Sequence, residues 1–582
     1  MRVIRRQRLS WCSLSTTFAI LLAGCNGDSR NNADHAAAVT AGSRAIVLIT
    51  VDGWWDPSSK SDSIPSVFVA NEVRLEDAMT PSPQLRPAMS ALLSGTSPVE
   101  NGIRNDVTTP MPPSVPYVTQ ALTERGWRTA AFVADPRVGV GSGLERGFEV
   151  FDPPKEVLFG SFRQIPHART PDDVVSDFST WLSSVPDSAS LFAWVQISRP
   201  LAGKEKDAKG GDLTAALDRL SKLLRETERL KGASVALVGT AGKLDPDDGM
   251  RSGYFLNADV LSVPVILRPG AGSQQKVDPA RPFSLTELTR WITGEAGVEP
   301  SSGATGTQAP RLAWTWRGRD EFGWPAEIAA HQGTALCVRS VPGSQDRCES
   351  WSAARDVIES DRNACVSVLD RQTNAWADPG PRRALPAELT ARLAALGLQP
   401  RPPATATRRL PSLDVRARVV PIVLAARRIE DPKKAAEADA AYGRALALDP
   451  ENFGVMIEAG ESLALANRPK LAAAKLEPAL RAAPSNPEAW HWLGHVAYLS
   501  SQLARADARW RVAEALRPGN ADVLYDLACS SSLLGNVSDA DAYLRRAWAA
   551  GFKSVNKIQV DPDLRTLRAD PAFLRFMREV VH

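Results

Sequence analysis

Pro450, Pro484 and Pro518 stand 34 residues apart, and small residues recur in phase with them: Gly460 and Gly494, then Ala472, Ala506 and Ala540, then Ala479, Ala513 and Ala547. A period of that length holds two short helices and their turns, with no core of its own. The small residues let paired helices approach closely, and the proline ends the second helix of each pair. A lone pair cannot cover its apolar stripe, so such units are stable only as a stack. The period predicts four units from residue 419 to Phe552, the first of them diverged. This stretch is committed to an all-α solenoid.

Within 487–520, Trp490, Leu493, Gly494, Ala506, Trp510, Ala513 and Pro518 fall where tetratricopeptide repeats carry them, so residues 418–582 resemble a tetratricopeptide (TPR) repeat domain. The tail "DPDLRTLRADPAFLRFM" resembles the closing segment of some such arrays. The resemblance implies a groove lined by the first helix of each unit, suited to a peptide or protein partner. Its phase places Glu461, His491, His495, Tyr498, Tyr525 and Cys529 in that groove. His491 and His495 have the i, i+4 spacing with which two imidazoles can bridge a metal. The sequence offers no third ligand beside them, so groove lining is the expectation.

Upstream the pattern changes. "AIVLITV" (45–51), "TAAFVA" (129–134), "LFAWVQI" (191–197), "SVALVG" (234–239) and "VPVIL" (263–267) are short apolar runs rich in β-branched residues, separated by helical patterns such as "PDDVVSDFSTWLSSV". Strands buried on both faces of a parallel sheet read this way. The expected fold class is α/β, a layered α/β/α domain over 44–398. A Pro- and Arg-bearing linker over 399–417 then leads to the repeats. Ligands in such sheets bind at the carboxyl ends of the strands, here "VDGWWDP" and "VGTAGKLDPDD".

The first 25 residues, "MRVIRRQRLSWCSLSTTFAILLAGC", have a basic head and an apolar stretch too short to span a bilayer as a mature helix. "Leu22-Ala23-Gly24-Cys25" resembles a bacterial lipobox, which implies a lipoprotein signal peptide over 1–24 and lipidation of Cys25. Residues 25–43 read as a flexible tether. The expected location is the cell envelope, anchored to a membrane through Cys25. In an oxidising compartment Cys337 and Cys348, which flank a Pro-Gly turn, form a possible disulfide if two strands meet at that turn. Metal ligation is the weaker reading, because no CxxC pair is present.

"AIVLITVDGWWDP", "TPSPQLRPAMSALLSGTSPVENGIRND" and "VTQALTERGWRTAAFVADPRVGVGSGLERGFEVFDPP" run in the order and spacing of a sulfatase-like protein of the alkaline phosphatase superfamily. The later segments "VPVILRPGAG" and "LTARLAALGL" look like that domain's landmarks. The wording most resembles bacterial members that carry tetratricopeptide repeats behind the hydrolase domain. The resemblance implies a divalent cation held by several oxygens, with a nucleophile beside it. Asp52 matches the first metal carboxylate. The nucleophile position falls on Leu85, and the histidine position after it on Met89. The late Asp-His pair falls on Thr240-Ala241, a further histidine on Gln196, and the basic pair on Arg251-Ser252. With Asp52 as a residual carboxylate, no catalytic residue, metal or other cofactor is expected. Ca²⁺ enters only if Asp56, Asp245, Asp247 or Asp248 rebuilds a site with Asp52. Ser82 and Ser90 read as caps, and the loop 203–212 as a solvated excursion.

A net charge of +3 with 23% charged residues gives no argument for a nucleic-acid partner. The reading is a lipid-anchored pseudo-sulfatase whose repeats recruit a protein. The alternatives are an active sulfuric or phosphoric ester hydrolase with a remodelled metal site, and a carbohydrate-binding protein. In the last, Trp54 and Trp55 line the old pocket with Leu85 and Met89.

Overall fold

A computed structural model describes the chain from Arg44 to Val581 except residues 53–71, 107–110, 140, 155–168, 199–212, 246, 299–309, 342, 344–345, 353–355, 375–385, 396–409, 430 and 553. The signal peptide, Cys25 and tether, and also Trp54, Trp55, Asp56, His167, the loop 203–212 and residues 399–409 of the linker, lie outside the described residues. Residues from Arg44 onward form one compact unit.

The central sheet comprises β1 (Ala45–Asp52), β2 (Val73–Leu75), β4 (Arg128–Val133), β5 (Val150–Asp152), β6 (Leu191–Ser198), β7 (Ser234–Gly239) and β8 (Val265–Arg268), in the order β2-β8-β7-β1-β6-β4-β5. The short strand β3 (Ala78–Met79) pairs outside it with β9 (Phe283–Ser284). Alternate residues of the central strands serve opposite faces, as period-2 geometry requires. Ile46, Leu48, Phe192 and Trp194 pack under helices α1 (Leu85–Ser94) and α4 (Leu288–Ala296). Val47, Ile49, Val51, Val195 and Ile197 pack under α2 (Pro171–Ser184) and α3 (Leu213–Glu226). The α/β/α layering follows from this division of the core.

One expectation is corrected. The "VPVIL" run becomes β8, which is antiparallel to both β7 and β2, so the sheet is mixed. A strand buried on both faces shows the same apolar run in either direction, and the 240–264 return contains only single-turn helical pieces.

A second sheet of β10 (Arg311–Thr315), β11 (Ala326–Gln332), β12 (Ala335–Val341) and β13 (Asp346–Ser350) is an antiparallel meander covered by α6 (Glu359–Asn374). Cys337 and Cys348 lie directly opposite each other on β12 and β13 and are disulfide-bonded. Between the first two strands of this sheet sits the short helix α5 (Arg317–Phe322).

The helical region pairs α7 (Leu413–Arg427) with α8 (Ala435–Leu448), α9 (Phe453–Leu465) with α10 (Pro469–Ala482), α11 (Pro487–Leu499) with α12 (Leu503–Leu516), and α13 (Ala521–Leu533) with α14 (Val537–Ala549). The repeat is visible in its details. Asn452, Asn486 and Asn520 cap α9, α11 and α13, each side chain accepting from a backbone N–H in the first turn. Asn467, Ser501 and Gly535, at the turn inside each pair, all have positive φ. A Cβ at Gly460 would stand 2.4 Å from the Leu476 side chain and one at Gly494 2.3 Å from the Trp510 indole, so only glycine admits the partner helix there.

Two boundaries move. Helix α7 starts at Leu413, inside the segment read as linker, because Ser412 caps it by accepting from the Val415 N–H. The helix Ala387–Ala395, assigned by sequence to the α/β domain, sets Leu389 and Leu393 against Trp490 and Trp510 of the repeats. The α/β part and the first repeat share an apolar junction of Tyr254, Phe255, Phe322 and Trp324 with Val419, Val423, Tyr442 and Val455.

Candidate functional site

Strand β1 delivers Asp52 to the carboxyl edge of the sheet, and β4 ends next to Asp135. Arg137 lies between them. Its guanidinium donates to Asp52 Oδ2 at 2.7 Å, to Asp135 Oδ1 and Oδ2 at 2.9 and 2.7 Å, and to Asp106 Oδ2 at 3.5 Å. The other Asp52 oxygen accepts from the Thr240 hydroxyl at 3.1 Å. Three carboxylates from three segments thus surround one fixed cation at the place where ligands collect in such sheets. Burial raises the Asp52 pKa; Arg137 and Thr240 oppose that rise, and Asp135 and Asp106 add to it. Burial acts upward on Asp135 too, but there the two-oxygen contact with Arg137 wins and its pKa falls.

The positions named from the resemblance are held structurally. Leu85 opens α1 at 2% exposure and Met89 is wholly buried; both join the core beneath the sheet. This corrects the pocket-lining expectation for the pair. Gln196 accepts from the Ala134 and Asp135 N–H groups at 2.8 and 2.9 Å, and so holds the turn that aims Asp135. Thr240 stays in place because its carbonyl accepts from the Thr80 hydroxyl at 2.9 Å. Asp106 accepts from the Arg86 N–H in the first turn of α1, where helix dipole and free amides favour a carboxylate.

The acidic run 245–248 does not reach Asp52. Asp248 pairs with Arg251 at 2.7 Å and Asp245 with the same arginine at 3.7 Å, while Asp247 faces Arg428 at 3.5 Å. Arginines occupy these carboxylates as Arg137 occupies the others. Sequence reasoning missed Asp106, Asp135 and Arg137. The available signal was "FVADPR", a carboxylate closing a central strand with a cation two residues on.

The cluster continues toward the repeats. Asn105, beside Asp106, donates to Asp320 Oδ2 on α5 at 2.6 Å. Burial raises the Asp320 pKa to about 6, against the Asn105 hydrogen bond and the nearby Arg319 and Arg517, with Glu321 adding to the rise. In an unfolded chain this carboxyl ionises near 3.9. Between about 4 and about 6 the folded state therefore holds a proton that the unfolded state has lost, and this group's contribution to stability falls as pH rises through that window. Asp320→Asn removes the cost. It should raise Tm by about 2–4 °C at pH 7.5, with the gain shrinking toward pH 4.5. Thermal melts of both proteins at the two pH values check this; a loss at pH 7.5 would show that the ionised carboxylate is needed.

The residues expected in the repeat groove separate into two sets. The Tyr498 hydroxyl donates to Asp563 at 2.6 Å and the Tyr525 hydroxyl to Asp561 at 2.8 Å, and the Tyr525 ring stacks on Phe552 at 4.0 Å. Cys529 is buried beside the same two aspartates, and burial pushes its thiol up. Phe552, Asp561 and Asp563 thus cover Tyr498, Tyr525 and Cys529, three of the six residues expected to meet a partner, with a carboxylate at each tyrosine hydroxyl. Glu461 is buried in α9. His491 and His495 instead converge on Asp526 of the next pair, their Nε2 atoms 2.8 and 2.9 Å from the same carboxylate oxygen. Burial lowers the His495 pKa, but Asp526 outweighs it and the net shift is upward. Asp526 is held well below the usual carboxylate range by the two histidines, against its burial.

No family model matches the chain, and no curated protein matches it. Solved structures overlap its N-terminal part. A 2-O GAG sulfatase is 13% identical with a TM-score of 0.41, covering 57% of this chain and 91% of that one. The phosphonate monoester hydrolase of Agrobacterium radiobacter is 12% identical with a TM-score of 0.42, covering 57% and 95%. The protein Ps i-CgsB, solved with k-i-k-neocarrahexaose, is 12% identical with a TM-score of 0.43, covering 58% and 93%.

Proposed function

We propose that this chain is a lipid-anchored, exported pseudo-sulfatase, in which a sulfatase-like domain without catalytic equipment is coupled to tetratricopeptide repeats that recruit a protein partner. One observation carries the reading: the Arg137 guanidinium fills the space among Asp52, Asp135 and Asp106. Ester hydrolysis by a metal-dependent site of this kind needs a cation with open positions, which polarises the ester and offsets repulsion between anions. A guanidinium has no position to exchange and cannot lower the pKa of a bound water as a metal does. Leu85 supplies no nucleophile, and its burial leaves no room to regain one without reopening the core. The resident cation offsets part of the carboxylates' charge, so the old site serves as an internal strut. Partner recruitment falls to the repeats, around His491, Trp492 and His495.

The test measures metal content and turnover of aryl sulfate and aryl phosphate esters in the purified protein, with Asp52→Ala as control. Hydrolysis indistinguishable from the control supports the reading. One Ca²⁺, Mg²⁺ or Zn²⁺ whose binding and turnover are both lost in Asp52→Ala would replace it with a remodelled hydrolase.

A further inference from the structure

We propose that His491, His495 and Asp526 form a Zn²⁺ site that ties the first helices of two successive repeats together. The two imidazoles stand one turn apart on α11, with ring centroids 4.9 Å apart. Asp526 projects from α13, and Oδ2 alone receives both Nε2 atoms, at 2.8 and 2.9 Å. The three ligand atoms lie within 4.8 Å of one another. Tetrahedral zinc, with bonds of about 2.0–2.2 Å, sets its ligand atoms about 3.3–3.5 Å apart. Each Nε2–Oδ2 spacing reaches that value by opening about half an ångström. The helices already hold the rings in position: His491 packs edge-on against His495, and His495 is flanked by Trp492 and Trp510 at 4.9 and 5.4 Å.

The ligand chemistry selects the ion. Two imidazole nitrogens and a carboxylate suit Zn²⁺, whereas Ca²⁺ and Mg²⁺ favour all-oxygen sets. Asp522 lies one turn before Asp526 on α13, and its charge acts on both histidines. Metal sites in helical bundles are built from side chains on facing helices, as His491 and His495 of α11 and Asp526 of α13 are here. The neighbouring group of Cys529, Asp561 and Asp563 differs, because Tyr525 and Tyr498 already donate to its carboxylates.

The consequence is mechanical. Stability in a stacked array rests on interfaces between adjacent units, and an ion shared by α11 and α13 adds directly to one of them. Zinc occupancy would stiffen the face beside which a partner docks. This inference concerns the repeats alone and does not depend on the inactivity of the α/β domain.

Tag-free protein stripped with chelator is dialysed against Zn²⁺, and separately against Co²⁺ for its visible spectrum. The expected result is one Zn²⁺ per chain, an intense low-symmetry Co²⁺ spectrum, and a higher Tm. Loss of an outer-shell partner alone weakens metal binding about 10–100-fold, so Asp526→Asn and His495→Gln should each weaken Zn²⁺ by at least about 100-fold. Cys529→Ser should leave binding unchanged. Binding retained by both ligand variants, or lost in Cys529→Ser, overturns the site, as does failure of the wild type to bind a stoichiometric ion. The wild-type Co²⁺ spectrum decides alone if a variant does not fold: a weak octahedral spectrum counts against the site.

Discussion

Arg427→Met is expected to destabilise the junction between the α/β part and the repeats by about 3–5 kcal/mol, the cost of stripping one partner from a buried ion network. Arg427 donates to Glu321 at 2.6 Å, to both oxygens of Glu458 at 2.6 and 3.0 Å, and to the Tyr254 hydroxyl at 2.9 Å. The arginine and both glutamates are nearly sealed, at 3%, 4% and 9% side-chain exposure. Methionine removes the guanidinium that lies over the Phe322 ring, takes the cation from Glu458 and leaves Glu321 with Arg317 alone, at 2.9 Å. Burial works against the ionised Glu321, and Arg427 with Arg317 reverses this and lowers its pKa; without Arg427 the carboxyl takes up a proton or the junction opens. Urea unfolding followed by tryptophan fluorescence should show one transition split into two, the repeats melting first. Adding Glu321→Gln and Glu458→Gln should recover part of the loss, since a neutral network avoids the uncompensated charge. A single transition with unchanged midpoint would mean that the apolar junction suffices alone.

The repeats were legible because their signal is steric and local. Gly460, Gly494 and the alanines sit where helices cross, and a crossing distance leaves its mark on residue size. The sheet was legible in position but not in direction, since β8 buries both faces whether it runs parallel or antiparallel. The candidate site was half legible. The positions of Asp52, Leu85, Met89, Gln196 and Thr240 could be named from a row of motifs, yet the partners that meet Asp52 could not. Arg137 meets Asp52 across 85 residues of chain and Asp320 meets Asn105 across 215, and no local pattern encodes such pairings. The same limit hid Asp526: its distance from His491, 35 residues, becomes meaningful only once consecutive repeats are known to stack.

Arg137→Ala supplies the sharpest test of the carboxylate cluster around Asp52. If the guanidinium stands in for a cation, its removal leaves Asp52, Asp106 and Asp135 facing one another uncompensated. Leaving charged groups unsatisfied costs at least about 1–3 kcal/mol, so Tm in chelator should fall by about 3–10 °C. Calcium is then expected to stabilise the variant. Three carboxylates and the carbonyls around them are the oxygen set that Ca²⁺ takes, and binding only the folded state restores about 2.7 kcal/mol at a hundred times the Kd. A Ca²⁺-dependent rise in Tm for Arg137→Ala, absent in wild type and abolished by a further Asp52→Asn, would identify the cluster as a cation site closed by an arginine. Such a variant should still hydrolyse no ester, because Leu85 remains buried where a nucleophile would have to stand. Calcium-independent melting of Arg137→Ala would mean that the three carboxylates have drifted beyond the reach of one ion, and that the arginine is a strut with no memory of a metal.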